Sequence, residues 1–183
     1  MVSANNRDRA RIEALAEKYI KKEKYEEAIA EYQKLLTGDE QDIPIRNIIG
    51  DLHLKANQKD QAVEEFKKIA SHFEKKGLFP KSIAIYKRIT RIAPGDLDAL
   101  QKLAALYRDR GLVPEALVEY RKLAEHLRDR NRIPEAIQIF EQVLKLDPED
   151  ETSWMSLAEL HEKEGHTEQA VEALNTFAEA RMR

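Results

Sequence analysis

No cysteine occurs among the 183 residues, which removes disulfides, thiolate nucleophiles and Cys-ligated zinc from consideration. A cysteine-free chain fits a reducing compartment. No apolar run approaches the roughly 20 residues needed to cross a bilayer. The N-terminal stretch "MVSANNRDRARIE" has no apolar signal core, so a cytoplasmic protein without membrane contact is expected. Glycine is scarce, at six residues, and neither GxGxxG nor GxxxxGK occurs, so no glycine-rich loop is present to cradle phosphates. A large charge of one sign is missing as well. The net charge is −3, which argues against bulk binding to nucleic acid.

What is present is charge, apolar residues and repetition. Charged residues make up 36% and hydrophobic ones 42% of the chain, a composition suited to a helix-rich globular fold. The charge is unevenly spread: −1 over residues 1–60, +5 over 61–135 and −7 over 136–183. Such a middle would steer an acidic partner and such a tail a basic one; equally, both would serve as ordinary solvated helix faces.

A pattern of a small residue, then an aliphatic, then an aromatic recurs along the chain. It is carried by "YEEAIAEY" at Ala28, "KDQAVEEF" at Ala62, "FPKSIAIY" at Ser82, "VPEALVEY" at Ala116, "IPEAIQIF" at Ala136 and, degenerate, "TEQAVEAL" at Ala170. The spacings are 34, 20, 34, 20 and 34. A second pattern ends at Tyr19 in "RIEALAEKY", at Tyr107 in "LQKLAALY" and at His161 in "WMSLAELH". Within "RIEALAEKYIKK", Ile12, Leu15, Ala16 and Tyr19 recur at i, i+3, i+4 and i+7, the stripe of an amphipathic helix. Pro80, Pro114 and Pro134 stand where helices begin, since a first-turn residue has no N–H to lose. Gly77, Gly111 and Gly165 stand at helix ends, where left-handed backbone is cheap for glycine. Ten helices are predicted, near 9–22, 25–38, 43–56, 59–76, 80–92, 97–110, 113–130, 134–146, 151–164 and 167–182.

The 34-residue spacing, together with Asp147-Pro148, Trp154, Leu157, Ala158, Gly165 and Ala170, resembles the tetratricopeptide repeat. Leu103, Ala104, Tyr107, Gly111, Ala116 and Tyr120 give the same match, and the resemblance runs from about Arg9 to Ala180. It implies an all-α fold, a right-handed α-solenoid of about ten stacked antiparallel helices in a single domain over residues 1–183. The repeats lie near 9–42, 43–76, 63–96, 97–130, 117–150 and 151–183.

Those repeats overlap, which the regular family does not do. Ala62, Phe66 and Ile69 match the second helix of one repeat, while Phe66, Ile69, Ala70 and Phe73 match the first helix of the next. The same holds for Ala116, Tyr120, Leu123, Ala124 and Leu127. Residues 59–76 and 113–130 are therefore predicted to be shared helices, giving a period of 54 with three helices per unit. A shared helix exchanges the layer roles of the helices after it, so curvature and groove should depart from a regular array beyond about Lys76. Two short helices at 59–65 and 68–76 would contradict this.

No reaction centre emerges, and no catalytic residue, cofactor or metal is expected. "HEKEGH" spaces His161 and His166 five apart with Gly165 between them, whereas zinc on a helix needs i and i+4. His53 and His161 occupy the Tyr19 and Tyr107 position and are expected to be half-buried. His72 and His126 are expected to be solvated. Ser71 and His72 point about 100° apart on a helix, unsuited to a nucleophile and its base.

The expected function is therefore an adaptor or scaffold that binds another protein or peptide without catalysis. The other reading is a structural spacer or a self-assembling segment of a longer solenoid. In regular tetratricopeptide arrays ligands lie along the groove of first-helix side chains. The resemblance places that groove at Glu13, Glu17, Ile20 and Lys21, and at Asn47, Asp51, Leu54 and Lys55. Ile20 and Leu54 would seat an apolar anchor, or else extend the core stripe. Glu13 and Glu17 stand where a carboxylate clamp needs Lys and Asn, which disfavours that mode. At the C-terminus, Leu174, Phe177 and Ala178 repeat the shared-helix spacing, with Arg181 where Phe73 and Leu127 stand. That helix is either a partly adapted cap or an exposed apolar end capable of self-association.

Overall fold

The computed structural model describes residues 2–36 and 42–182, with side chains for all of these except 2–6 and 180–181. Among the described residues there are ten helices and no strand: α1 Val2–Ile20, α2 Tyr25–Leu36, α3 Ile43–Lys55, α4 Lys59–Lys75, α5 Phe79–Ile92, α6 Leu97–Asp109, α7 Val113–Asp129, α8 Ile133–Leu146, α9 Glu151–Lys163 and α10 Thr167–Arg181. Nine of the ten predicted starts agree within one residue. The exception is α1, which starts at Val2 rather than Arg9. The apolar stripe begins only at Ile12, but no proline or glycine interrupts the residues before it, so nothing stops the helix from extending. Residues 37 and 38 of the predicted second helix lie outside the described residues.

The chain forms two compact units, Met1–Pro94 and Gly95–Arg183. In the first, each of α1 to α5 packs on its neighbours in sequence; in the second, α6 to α10 do the same. Each unit is thus a solenoid-type stack of helices joined by short turns.

Helix ends are set by a recurring turn. Among the described residues six have positive φ: Glu23, Asn57, Gly77, Gly111, Asn131 and Gly165. Their spacings are 34, 20, 34, 20 and 34, the period of the small-residue pattern. One residue past each, a backbone N–H reaches back five residues: Lys24 to Tyr19, Gln58 to His53, Leu78 to Phe73, Leu112 to Tyr107, Arg132 to Leu127 and His166 to His161, at 2.8 to 3.0 Å. This is the hydrogen bond of a Schellman motif. At the other ends, the Asp42 carboxylate accepts from the Ile45 N–H at 3.1 Å and Asp96 from the Ala99 N–H at 2.8 Å, satisfying N-terminal donors. Proline stands in the first turn of α3, α5, α7 and α8.

The long helices α4 and α7 are each one unbroken run of 17 residues. α4 buries Ala62, Val63, Phe66, Ile69 and Ala70 and meets α3 and α5. α7 buries Ala116, Leu117, Tyr120, Leu123, Ala124 and Leu127 and meets α6 and α8. One stripe on each therefore serves two neighbours. Gly50 of α3 lies so close to α4 that a Cβ there would stand 2.6 Å from Cε1 of Phe66. The other first-helix positions of this series hold Ala16, Ala70, Ala104, Ala124 and Ala158, the first four fully buried and the last 6% exposed.

His53 and His161 are half-buried, as their repeat position implies. His72 and His126 are half-buried too, not solvated as expected. They lie on α4 and α7, where two packed neighbours cover more of the circumference than a one-sided stripe would suggest; His72 stands edge-on to Phe73 at 6.0 Å. The Arg181 side chain lies outside the described residues.

Candidate functional site

Seven of the eight expected groove positions fall on α1 and α3 of the first unit, and Lys21 lies in the turn just after α1. On α1, Glu13 is half-buried and accepts from Nε of Arg9 at 2.9 Å, while Arg9 Nη1 donates to Asp42 at 2.8 Å. Glu17 and Lys21 are exposed. Ile20 is half-buried and packs on the cluster of Ala16, Ala28, Ile29, Tyr32, Ile45, Ile49 and Leu52. Burial, followed by the charges of Glu17 and Glu13, pushes the Tyr32 phenol above its ordinary pKa. On α3, Leu54 is half-buried and Lys55 exposed.

Asn47 and Asp51 have a different fate. Arg88 of α5 donates from Nη1 to Asn47 Oδ1 at 3.1 Å and from Nη2 to Asp51 Oδ1. Asn47 Nδ2 donates to Asp51 Oδ2 at 3.1 Å, closing the triangle. The guanidinium sits over the Phe66 ring of α4. A side chain of α5 thus reaches across α4 to α3. This means that Asn47 and Asp51 already have an arginine ligand from their own unit.

Arg88 was not foreseen from sequence; a lone arginine in "YKRITR" is indistinguishable from solvated charge. The same holds for the ion pair between Arg46 Nη1 and Glu65 Oε2 at 2.8 Å, with Lys68 donating to Glu65 Oε1 at 2.6 Å. Burial opposes the charge on Glu65, yet the hydrogen bonds from Lys68 and Arg46 outweigh it and hold the carboxyl below its usual range. Beside this pair, α3 and α4 line a cationic cleft of about 670 Å³ that includes Arg46, Lys67, Lys68, Lys75 and Lys76.

The second unit repeats the frame with other chemistry. Fifty-four residues on, Glu119 and Lys122 keep their contact at 3.0 Å, but Leu100 replaces Arg46 and Glu119 Oε2 is buried without a hydrogen-bond partner. Gln142 stands in the place of Arg88 and Ala105 in that of Asp51, so the clasp does not recur there. A further cleft of about 440 Å³ lies among α8, α9 and α10, with Trp154, Leu157, Ala173 and His161 on its walls.

Among the described residues no group of three or more His, Cys, Asp or Glu is placed to hold a metal ion. None of the described helices is long and apolar enough to cross a membrane.

With this geometry in hand, comparison with known proteins is informative at the level of the repeat. Residues 127–181 match the family model described as tetratricopeptide repeat. No curated protein matches the chain. Among solved structures, kinesin light chain TPR-like repeats of Podosopora anserina are similar at 16% identity and a TM-score of 0.46, covering 95% of each chain. BtubC of P. vanneervenii is similar at 14% identity and a TM-score of 0.45, covering 93% of this chain and 78% of its own. A structure of MamA is similar at 19% identity and a TM-score of 0.30, covering 91% and 94%.

Proposed function

We propose that this chain, which matches the tetratricopeptide repeat over residues 127–181, is an adaptor that holds a segment of another protein along α1 and α3 of its first unit. Stacked helical repeats generally serve protein–protein interaction. The observation that carries the reading is a duplicated pair. Ile20-Lys21 and Leu54-Lys55 lie 34 residues apart, each a half-buried aliphatic next to an exposed lysine. A bound segment would set an apolar side chain on Ile20 and another on Leu54, with acidic groups facing Lys21 and Lys55. Glu13 and Glu17 border the α1 end, while Asn47 and Asp51 contribute through the Arg88 clasp. The chain acts as one repeat domain in this reading, with α4 and α7 each counted in two repeats, and it binds rather than catalyses.

The test is capture of partners by the immobilised full chain, comparing wild type with Lys21→Glu/Lys55→Glu and Ile20→Asp/Leu54→Asp. The lysine variant leaves the core untouched, which guards against simple unfolding. A partner lost from both variants, with helical content retained, supports the groove. Unchanged partners, or a change confined to oligomer size by light scattering, would overturn it in favour of a spacer or self-assembling segment.

A further inference from the structure

The cationic cleft of about 670 Å³ on α3 and α4 is separate from the α1–α3 groove, since none of the eight positions of that groove lines it. It lies within the first unit, with helices before and after it in the chain. Its long wall is one face of α4, where three rows follow at four-residue steps: Lys67-Lys68, Ser71-His72 and Lys75-Lys76. Ser71 and His72 are half-buried, and Lys75 and Lys76 exposed. Arg46 and Lys68 share Glu65, while Lys67 stands 3.8 Å from Glu64. Lys75 and Lys76 form no ion pair among the described residues. Glu64 is the one carboxylate among the lining residues, and it stands at the far end of the face, eleven residues from Lys75.

The 54-residue period shows that the frame does not require this charge. The matching rows of α7 are Arg121-Lys122, Glu125-His126 and Asp129-Arg130, with two carboxylates among them. There each cation has a partner. Arg121 pairs with Asp150 at 2.9 Å, Lys122 with Glu119 at 3.0 Å, and Arg130 donates to the Gly95 carbonyl at 2.7 Å. The same rows of α4 hold four lysines and no carboxylate. Lysine at a helix C-terminus is favoured by the dipole, yet α7 closes with the same kind of turn while carrying Asp129 in the place of Lys75.

We propose that this cleft binds an extended acidic segment of another protein, with carboxylates at alternate positions facing the rows of α4. Rows four residues apart on a helix are about 6 Å apart, and alternate side chains of an extended peptide are about 6.7 Å apart. Three successive carboxylates of a Glu-x-Glu-x-Glu stretch therefore meet the three rows in turn. The outer rows supply ammonium groups, and the middle one a hydroxyl and an imidazole that can donate hydrogen bonds. Single-stranded nucleic acid fits less well, because no Phe, Tyr or Trp lines the cleft to stack a base. This inference rests on the protein-interaction reading and adds a second surface to it.

The probe is a short capped peptide alternating Glu and Ser, titrated into the full chain by calorimetry beside a peptide of the same residues in two blocks. The expected result is one-to-one binding of the alternating peptide, weakened at least about tenfold, ~1.4 kcal/mol, by Lys75→Glu/Lys76→Glu. Both lysines are exposed, so retained helical content shows that the variant is folded. Lys21→Glu/Lys55→Glu should leave this binding unchanged, which separates the cleft from the α1–α3 groove, so either can fail alone. No binding, equal binding of the block peptide, or insensitivity to Lys75→Glu/Lys76→Glu overturns the proposal. Tighter binding of a single-stranded oligonucleotide of equal charge does so too, since the cleft is then a nucleic-acid surface. So does peptide binding that appears only after Asp39→Asn/Glu40→Gln, because the cleft then serves this chain's own carboxylates.

Discussion

The guanidinium carbon of Arg88 lies 3.9 Å from the centre of the Phe66 ring, and its nitrogens donate to Asn47 and Asp51 of α3. One side chain of α5 therefore touches both α3 and α4. Its worth combines a cation–π contact with charge-assisted hydrogen bonds. Arg88→Ala is expected to lower stability by about 1–3 kcal/mol, read by denaturant titration. Arg88→Lys should recover less than half of that, because an ammonium cannot lie flat on the ring and span Asn47 and Asp51 together. Full recovery by lysine would show that charge alone matters there.

Gly50 is fixed by the same ring. A methyl group at that position would stand 2.6 Å from Phe66 Cε1, inside any van der Waals contact. Gly50→Ala should cost about 1–3 kcal/mol despite the better helix propensity of alanine. Adding Phe66→Leu should make the pair less destabilised than the sum of the single changes, since shrinking the ring removes the clash. Strict additivity in thermal melts would refute the steric account.

Among the six positive-φ residues, Glu23 has a φ of 57° without the freedom of glycine or the tolerance of asparagine. Glu23→Gly is expected to raise stability by up to about 1 kcal/mol. Gly111→Ala, at the equivalent turn with a φ of 71°, should lower it by about the same. Differential scanning calorimetry would register the two in opposite directions.

The Glu65 carboxyl, held below its usual range by Lys68 and Arg46, links stability to pH. A depressed folded-state pKa means that its contribution is fully present above the unfolded value of about 4.3. It is lost as the pH falls through the folded value. Glu65→Gln should be less stable than wild type near neutrality by about 1–3 kcal/mol, and the gap should close in acid. Glu119→Gln should cost less, because Glu119 Oε2 has no partner to lose. A gap for Glu65→Gln that persists unchanged in strong acid would show that its ionisation is not the stabilising feature.

Much of this could be read from the letters alone. The 34 and 20 spacings follow from side-chain periodicity and from turn residues such as Gly77, Gly111 and Gly165, which act on the backbone within one turn of themselves. Nine helix starts, and the continuity of α4 and α7, needed nothing more. The groove positions proposed on α1 and α3 came from the resemblance to the tetratricopeptide repeat, and periodicity alone does not pick them out. Among the helix starts, local rules erred where no signal existed: the run before Arg9 has neither stripe nor breaker, and α1 simply continues through it.

Tertiary structure decided the rest, because a periodic stripe says that a face is apolar and not which neighbour covers it. Phe66, Tyr120 and Leu174 share one position in the 54-residue period, yet two are buried and the third is 41% exposed. Arg46 and Arg88 look alike as solvated charges in the sequence. One is clasped to Glu65 and the other to Asn47, Asp51 and Phe66, since each partner is brought within reach only when α3, α4 and α5 stack. Contacts across 19 to 41 residues depend on the packing of whole helices, and no local pattern encodes them.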